Sequence, residues 1–141
     1  QDQHAVYSGV VPIMLNKIEA GEQPVINGDG SQAYDFVYVE DVAKANIAAL
    51  ESDVKCDNYN VGTEIQTSIK ELCDTILDLK GSELKVKYVP YSADDARALV
   101  QNRIGSRQRA EKELNFKYSD SLREGLQKLI NWRKEVGIDK K

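Results

Sequence analysis

The chain has 141 residues, 41% of them hydrophobic, which supports one domain-sized core and not two. Its 23 acidic and 19 basic residues leave a net charge of −4, a balance that argues against binding nucleic-acid backbones. No apolar stretch reaches the roughly 20 residues that span a bilayer, no signal-peptide pattern opens the chain, and Cys56 and Cys73 have no second pair to make a zinc site, so a cytoplasmic, reducing setting is expected.

Residues 1–9 are polar and aperiodic and read as a loop in which His4, the only histidine, is solvated. Val11, Met14, Leu15 and Ile18 recur at helical spacing, with Pro12 in the first turn and Gly21 just past the end. Val25, Ile26 and Asn27 then predict a short strand. Gly28-Asp29-Gly30 is a turn, because glycine accepts φ > 0 and aspartate bonds its own backbone. Phe36, Val37, Tyr38 and Val39 form an uninterrupted apolar run, predicting a strand buried on both faces. Asp35 reads as a turn residue. Asp41 stands where an N-cap would open a helix through Val42, Ala43, Ala45, Ile47, Ala49 and Leu50.

A polar loop at residues 51–57 leads to Tyr59, Asn60 and Val61, a short predicted strand closed by Gly62. The clearest helix follows: Ile69, Leu72, Cys73, Ile76 and Leu77 share one face, Ser68 and Glu71 make a capping box, and Gly81 stops it. Cys73 on that face is a core residue. Alternation over residues 84–88 predicts a half-exposed strand ended by Pro90. Residues 91–104 are polar and irregular and carry Arg97 and Arg103. Ser106 is placed to cap a helix through Ala110 and Leu114. Asp120 or Ser121 caps the last helix, with Leu122, Leu126, Leu129, Ile130 and Trp132 as its apolar stripe and Trp132 in the core.

Catalytic equipment is conspicuous by its gaps. The sequence holds no G-x-x-G-x-x-G and no P-loop to cradle a dinucleotide, and none of its seven tyrosines is followed four residues later by lysine. Gly28 and Gly30 precede a strand and not a helix N-terminus, so they lack the geometry for phosphate binding.

The run G-D-G-S-Q-x-x-D-F-V-Y-V-x-D-V-A-x-A, followed by Tyr59-Asn60-Val61-Gly62-Thr63 and Thr67-Ser68-Ile69-x-Glu71-Leu72, resembles the C-terminal part of the extended short-chain dehydrogenase/reductases. These are the NAD-dependent nucleotide-sugar epimerases and dehydratases, with UDP-glucose 4-epimerase as type member. The resemblance covers roughly residues 8–133. It implies an α/β fold: the C-terminal part of a Rossmann-type protein with its small substrate-binding subdomain, residues 1–141 forming one substrate-binding portion. It also implies that the cofactor region, with the catalytic tyrosine and NAD, lies N-terminal to this portion, so the chain alone should hold no NAD and carry no catalytic residue.

Carried over by position, the resemblance puts Val10, Val11 and Pro12 along the nucleotide site and Val25 and Asn27 beside the base. Many members have an arginine against the diphosphate where this chain has Tyr34, one neutral donor in place of a permanent bidentate charge. The later family arginine has its best counterpart in Arg97, with Arg103 the rival. The ligand implied is a nucleotide sugar, UDP-linked, and the chain is expected to self-associate as a homo-oligomer. Two other readings stay open: a free-standing nucleotide-sugar-binding module, and a structural or regulatory partner of a separate Rossmann-type chain.

Overall fold

Three amphipathic helices surround one short strand. The computed structural model describes residues 9–54, 57–91 and 101–138. Helix α1 (Val10–Glu19) begins at Gly9, carries Pro12 in its first turn, where no N–H is needed, and ends before Gly21, whose φ of +72° completes the stop. Helix α3 (Ile69–Lys80) has the expected reciprocal capping box of Ser68 and Glu71 and ends at Gly81 in the left-handed conformation. Helix α5 (Leu122–Glu135) carries a second box, Ser121 with Glu124. Their apolar faces meet in one cluster: Met14, Leu15 and Ile18 from α1, Leu72, Cys73, Ile76 and Leu77 from α3, and Leu126 and Ile130 from α5, around Ile26 of strand β1 (Val25–Asn27).

An ion cluster staples these helices. Arg133 is only 3% exposed, and its Nη2 donates to Glu19 at 2.7 Å and to Asn16 at 2.6 Å, while Lys80 Nζ reaches Glu19 at 3.1 Å. Burial pushes the Glu19 carboxyl up, but the hydrogen bonds from Arg133 and Lys80 reverse this and leave it below the usual range. A buried charge held by two cations is costly to unpair.

The ladders are short. Strand β1 runs parallel to β4 (Lys87–Val89), with Ile26 opposite Tyr88. In the second sheet β2 (Ala33–Tyr34) lies between β3 (Thr67–Ser68), antiparallel, and β5 (Asn102–Arg103), parallel. Helix α2 (Val39–Glu51) packs on α4 (Gln108–Leu114) through Ala45, Ala110 and Phe116, with Tyr59, Val61 and Tyr118 against them.

Several expectations are corrected. Phe36, Val37 and Tyr38 form no strand, because Asp35 is drawn away to residues 63–64 and the chain leaves the ladder after Tyr34; Val39 already belongs to α2 and is 69% exposed. Asp41 is not the N-cap. Tyr38 holds that position without a side-chain cap bond, and Asp41 lies in the first turn, wholly buried. Tyr59, Asn60 and Val61 join no ladder among the described residues. Of the alternating run at residues 84–88 only Lys87 and Tyr88 are strand, in an element that ends at Val89. Arg107, not Ser106, is the N-cap of α4, although Ser106 Oγ accepts from Gln108 N at 3.4 Å. Of the two proposed caps for α5, Ser121 serves, and Asp120 is buried and pairs with Lys128 at 2.7 Å. Trp132 is 51% exposed, since the helix turns Arg133 inward instead. His4, Cys56 and Arg97 lie outside the described residues.

Candidate functional site

The turn at residues 28–32 is bolted to its surroundings by backbone. Ile69 N donates to Gln32 O at 2.9 Å and Lys70 N to Gly30 O at 3.1 Å, so the turn satisfies two N–H groups that the start of α3 would leave unpaired. Gly28, at φ +75°, donates its N–H to Val89 O at 2.8 Å, and the Tyr91 ring lies so close over it that a Cβ there would collide. Tyr91 Oη donates to Oε1 of buried Gln32 at 2.5 Å. The glutamine of the G-D-G-S-Q run thus locks the turn to the end of β4, a role that needs a partner 59 residues away and leaves no local signal.

The residues the resemblance singled out fall on neighbouring elements. Val10, Val11 and Pro12 form the first turn of α1 and are half-buried, Val10 and Val11 against the main core. Val25 and Asn27 bracket buried Ile26 on β1, Val25 half-buried and Asn27 exposed. Tyr34 is half-buried against the same core, its ring 6.3 Å from that of Phe36 in an edge-on arrangement. Tyr34 and exposed Arg103 are register partners on β2 and β5, and Asp35 N donates to Arg103 O at 3.2 Å. The later arginine of the pair, Arg103, therefore stands beside Tyr34, whereas the position of Arg97 lies outside the described residues.

Two aspartates hold the frame. The Asp35 carboxylate accepts from Thr63 N at 2.9 Å, Thr63 Oγ1 at 2.6 Å and Glu64 N at 2.9 Å, and it leaves no room for a Cβ on Gly62. Arg107 supports the same loop: its N–H donates to Glu64 at 2.8 Å, its guanidinium donates to Thr63 O and Glu111, and it stacks on the Tyr118 ring. The Asp41 carboxylate accepts from Ser119 Oγ at 2.6 Å, Ser119 N at 2.9 Å, Asp120 N at 3.3 Å and Lys44 Nζ at 3.1 Å. Burial pushes the Asp41 acid up, and these hydrogen bonds, led by Ser119, overcome it and hold the acid at about 2. Sequence reading missed both as long-range anchors and took them for a turn and a cap.

Among the described residues, the Gly28–Gly30 turn lacks the geometry of a dinucleotide cradle. Gly28 and Gly30 join strand to strand, and their backbone is already used by Val89 and Lys70. Tyr34 and Arg103 are neighbours in one ladder, and Asn27 lies on the strand of the other sheet.

Residues 1–62 match the model of the "NAD dependent epimerase/dehydratase family". Over that stretch the chain resembles the family. A Methanocaldococcus jannaschii protein, whose description places it among the UDP-glucose 4-epimerases, is 37% identical over 127 residues, 90% of this chain and 39% of its own. The crystal structure of a Thermotoga maritima UDP-glucose 4-epimerase with UDP-glucose superposes with a TM-score of 0.84 at 30% identity, covering 96% of this chain and 42% of that one. A Methanobrevibacter ruminantium UDP-N-acetylglucosamine 4-epimerase in complex with UDP-N-acetylmuramic acid gives a TM-score of 0.79 at 31% identity, over 94% and 42%. The chain thus spans about two fifths of its relatives' length and corresponds to their C-terminal part. Its α/β fold is that of the extended short-chain dehydrogenase/reductases. Among the described residues no helix is long and apolar enough to cross a membrane.

Proposed function

We propose that this chain is the nucleotide-sugar-binding portion of an NAD-dependent epimerase acting on a UDP-sugar. The observation that carries the reading is the likeness of 96% of the chain to the Thermotoga enzyme structure that contains UDP-glucose. In this reading the first turn of α1, with Val10, Val11 and Pro12, lines the nucleotide, Val25 and Asn27 flank the base, and the diphosphate lies by Tyr34 with one arginine. Arg97 is the arginine favoured by sequence position, and the pairing of Arg103 with Tyr34 favours a second assignment. NAD, when bound by such an epimerase, supplies hydride transfer, and the G-x-x-G-x-x-G and Tyr-x-x-x-Lys groups that use it are not in this sequence. The chain binds and orients; alone it neither retains NAD nor epimerises, and near-stoichiometric NAD in the purified chain would contradict that.

Calorimetric titration of UDP-glucose into the chain tests the assignment. Loss of one charge-assisted bond to the diphosphate costs about 1.5–3 kcal/mol, or about tenfold to a hundredfold in affinity. Arg97→Ala or Arg103→Ala should show that loss, and Tyr34→Arg should keep or tighten binding. Wild-type affinity in both alanine variants would place the diphosphate elsewhere.

A further inference from the structure

The turn at residues 28–32 separates two groups of residues proposed to hold nucleotide. Val25 and Asn27 stand on β1 before it and Tyr34 on β2 after it, and β1 and β2 belong to different sheets. Both ladders are short, with three residue pairs between β1 and β4 and two between β2 and each of its neighbours. Five residues can reach about 17 Å when extended, so the turn by itself sets no fixed distance between its ends.

Tyr91, just beyond the end of β4, spans that turn. Its ring seats on Gly28, the residue after Asn27, where any Cβ would collide with the ring edge and its hydroxyl. Its Oη donates to Oε1 of Gln32 at 2.5 Å, and Gln32, 9% exposed, is followed directly by Ala33 and Tyr34 of β2. One side chain thus touches both ends of the turn. The two contacts are chemically separable, since phenylalanine would keep the ring on Gly28 and lose the bond to Gln32.

Building on the proposed nucleotide site, we infer that Tyr91 is a positioning residue, whose contacts with Gly28 and Gln32 fix the spacing between the base-flanking strand β1 and the diphosphate-facing strand β2. A ligand that engages both strands gains fully from each only when their separation matches its own, because the second contact then costs little further ordering. UDP is such a ligand. Uridine, which has the base and no diphosphate, is not. Tyr91 acts through the two strands and is assigned no contact with the ligand itself.

The test is to titrate UDP and uridine, separately, into the 141-residue chain and into its Tyr91→Phe variant, following amide chemical shifts. Tyr91→Phe should weaken UDP about fivefold or more, the scale of an ordinary coupling between two sites, and leave uridine within about twofold. Loss of the phenol also leaves the buried Gln32 amide short of a donor, which lowers stability. Tyr91→Phe combined with Gln32→Met separates the two effects: with both polar partners gone, chemical denaturation should return toward wild type while UDP affinity stays low. If the double variant does not fold, the comparison of UDP with uridine in Tyr91→Phe decides alone. An equal loss for UDP and uridine, UDP affinity that recovers together with stability in the double variant, or UDP affinity unchanged by Tyr91→Phe would each overturn the inference and leave the nucleotide site standing. A wild-type chain that binds no UDP would overturn the nucleotide reading and this inference with it.

Discussion

Where α1, α3 and α5 meet, the contact is made by long aliphatic side chains, and two of the three helices are closed by reciprocal capping boxes. Where α2 meets α4 the buried hydrophobic residues are Ala45, Ala110 and Phe116, and order is imposed by two carboxylates, Asp35 and Asp41, that gather the N–H groups of distant loops. The first region is held by apolar burial and finishes its own core. The second is held by polar anchors and leaves an apolar helix face outside. One fold thus uses two ways of fixing its helices, apolar burial at one end and carboxylate anchors at the other.

This contrast can be broken or sharpened by substitution. The largest effect should come from Leu72→Ala in the closed core, where no solvent reaches the side chain: a loss of about 2–5 kcal/mol in chemical denaturation. Asp41→Ala should come next, at about 1–3 kcal/mol, because the N–H groups of Ser119 and Asp120 lose their acceptor. If Asp41→Ala leaves stability untouched, polar anchoring of the second region is wrong. Ser121→Ala, which removes half of a capping box on an exposed helix start, should cost about 1 kcal/mol. Trp132→Ser should fall within about 0.5 kcal/mol on thermal melting, since that ring is half in solvent.

Acid gives a further handle on the second region through Asp41. The folded Asp41 acid is depressed to about 2 from its ordinary 3.8, so its contribution is fully present above pH 4 and is lost as pH falls through about 2. Wild type and Asp41→Asn should converge in stability across that window, as followed by hydrogen exchange in α2. A constant difference down to pH 2 would contradict the anchoring role.

What could be read from the sequence follows the same division. The box at Ser68/Glu71, Ser121 as one of two candidate caps, the stops at Gly21 and Gly81 and the apolar face of α3 are local patterns, and each reappears in the structure. Misreadings cluster where a distant partner decides. Phe36 to Val39 has strand composition, but Asp35 is captured by Thr63, 28 residues on. Asp41 looks like a cap because its real donors lie 78 and 79 residues away. Trp132 yields the buried position to Arg133 because Glu19, 114 residues earlier, supplies a counter-charge. Of the proposed site, the elements carrying Val10, Val25 and Asn27 were legible, while the neighbourhood of Tyr34 and Arg103 depended on a ladder that no local pattern announces.

Mapping amide chemical shifts of the 141-residue chain during titration with UDP tests whether the proposed elements hold a nucleotide diphosphate. Saturable shifts are expected at Val10 and Val11, at Val25 to Asn27, and at Tyr34 and Arg103, with α5 unmoved. Shifts confined to other elements, or none at millimolar UDP, would contradict that assignment.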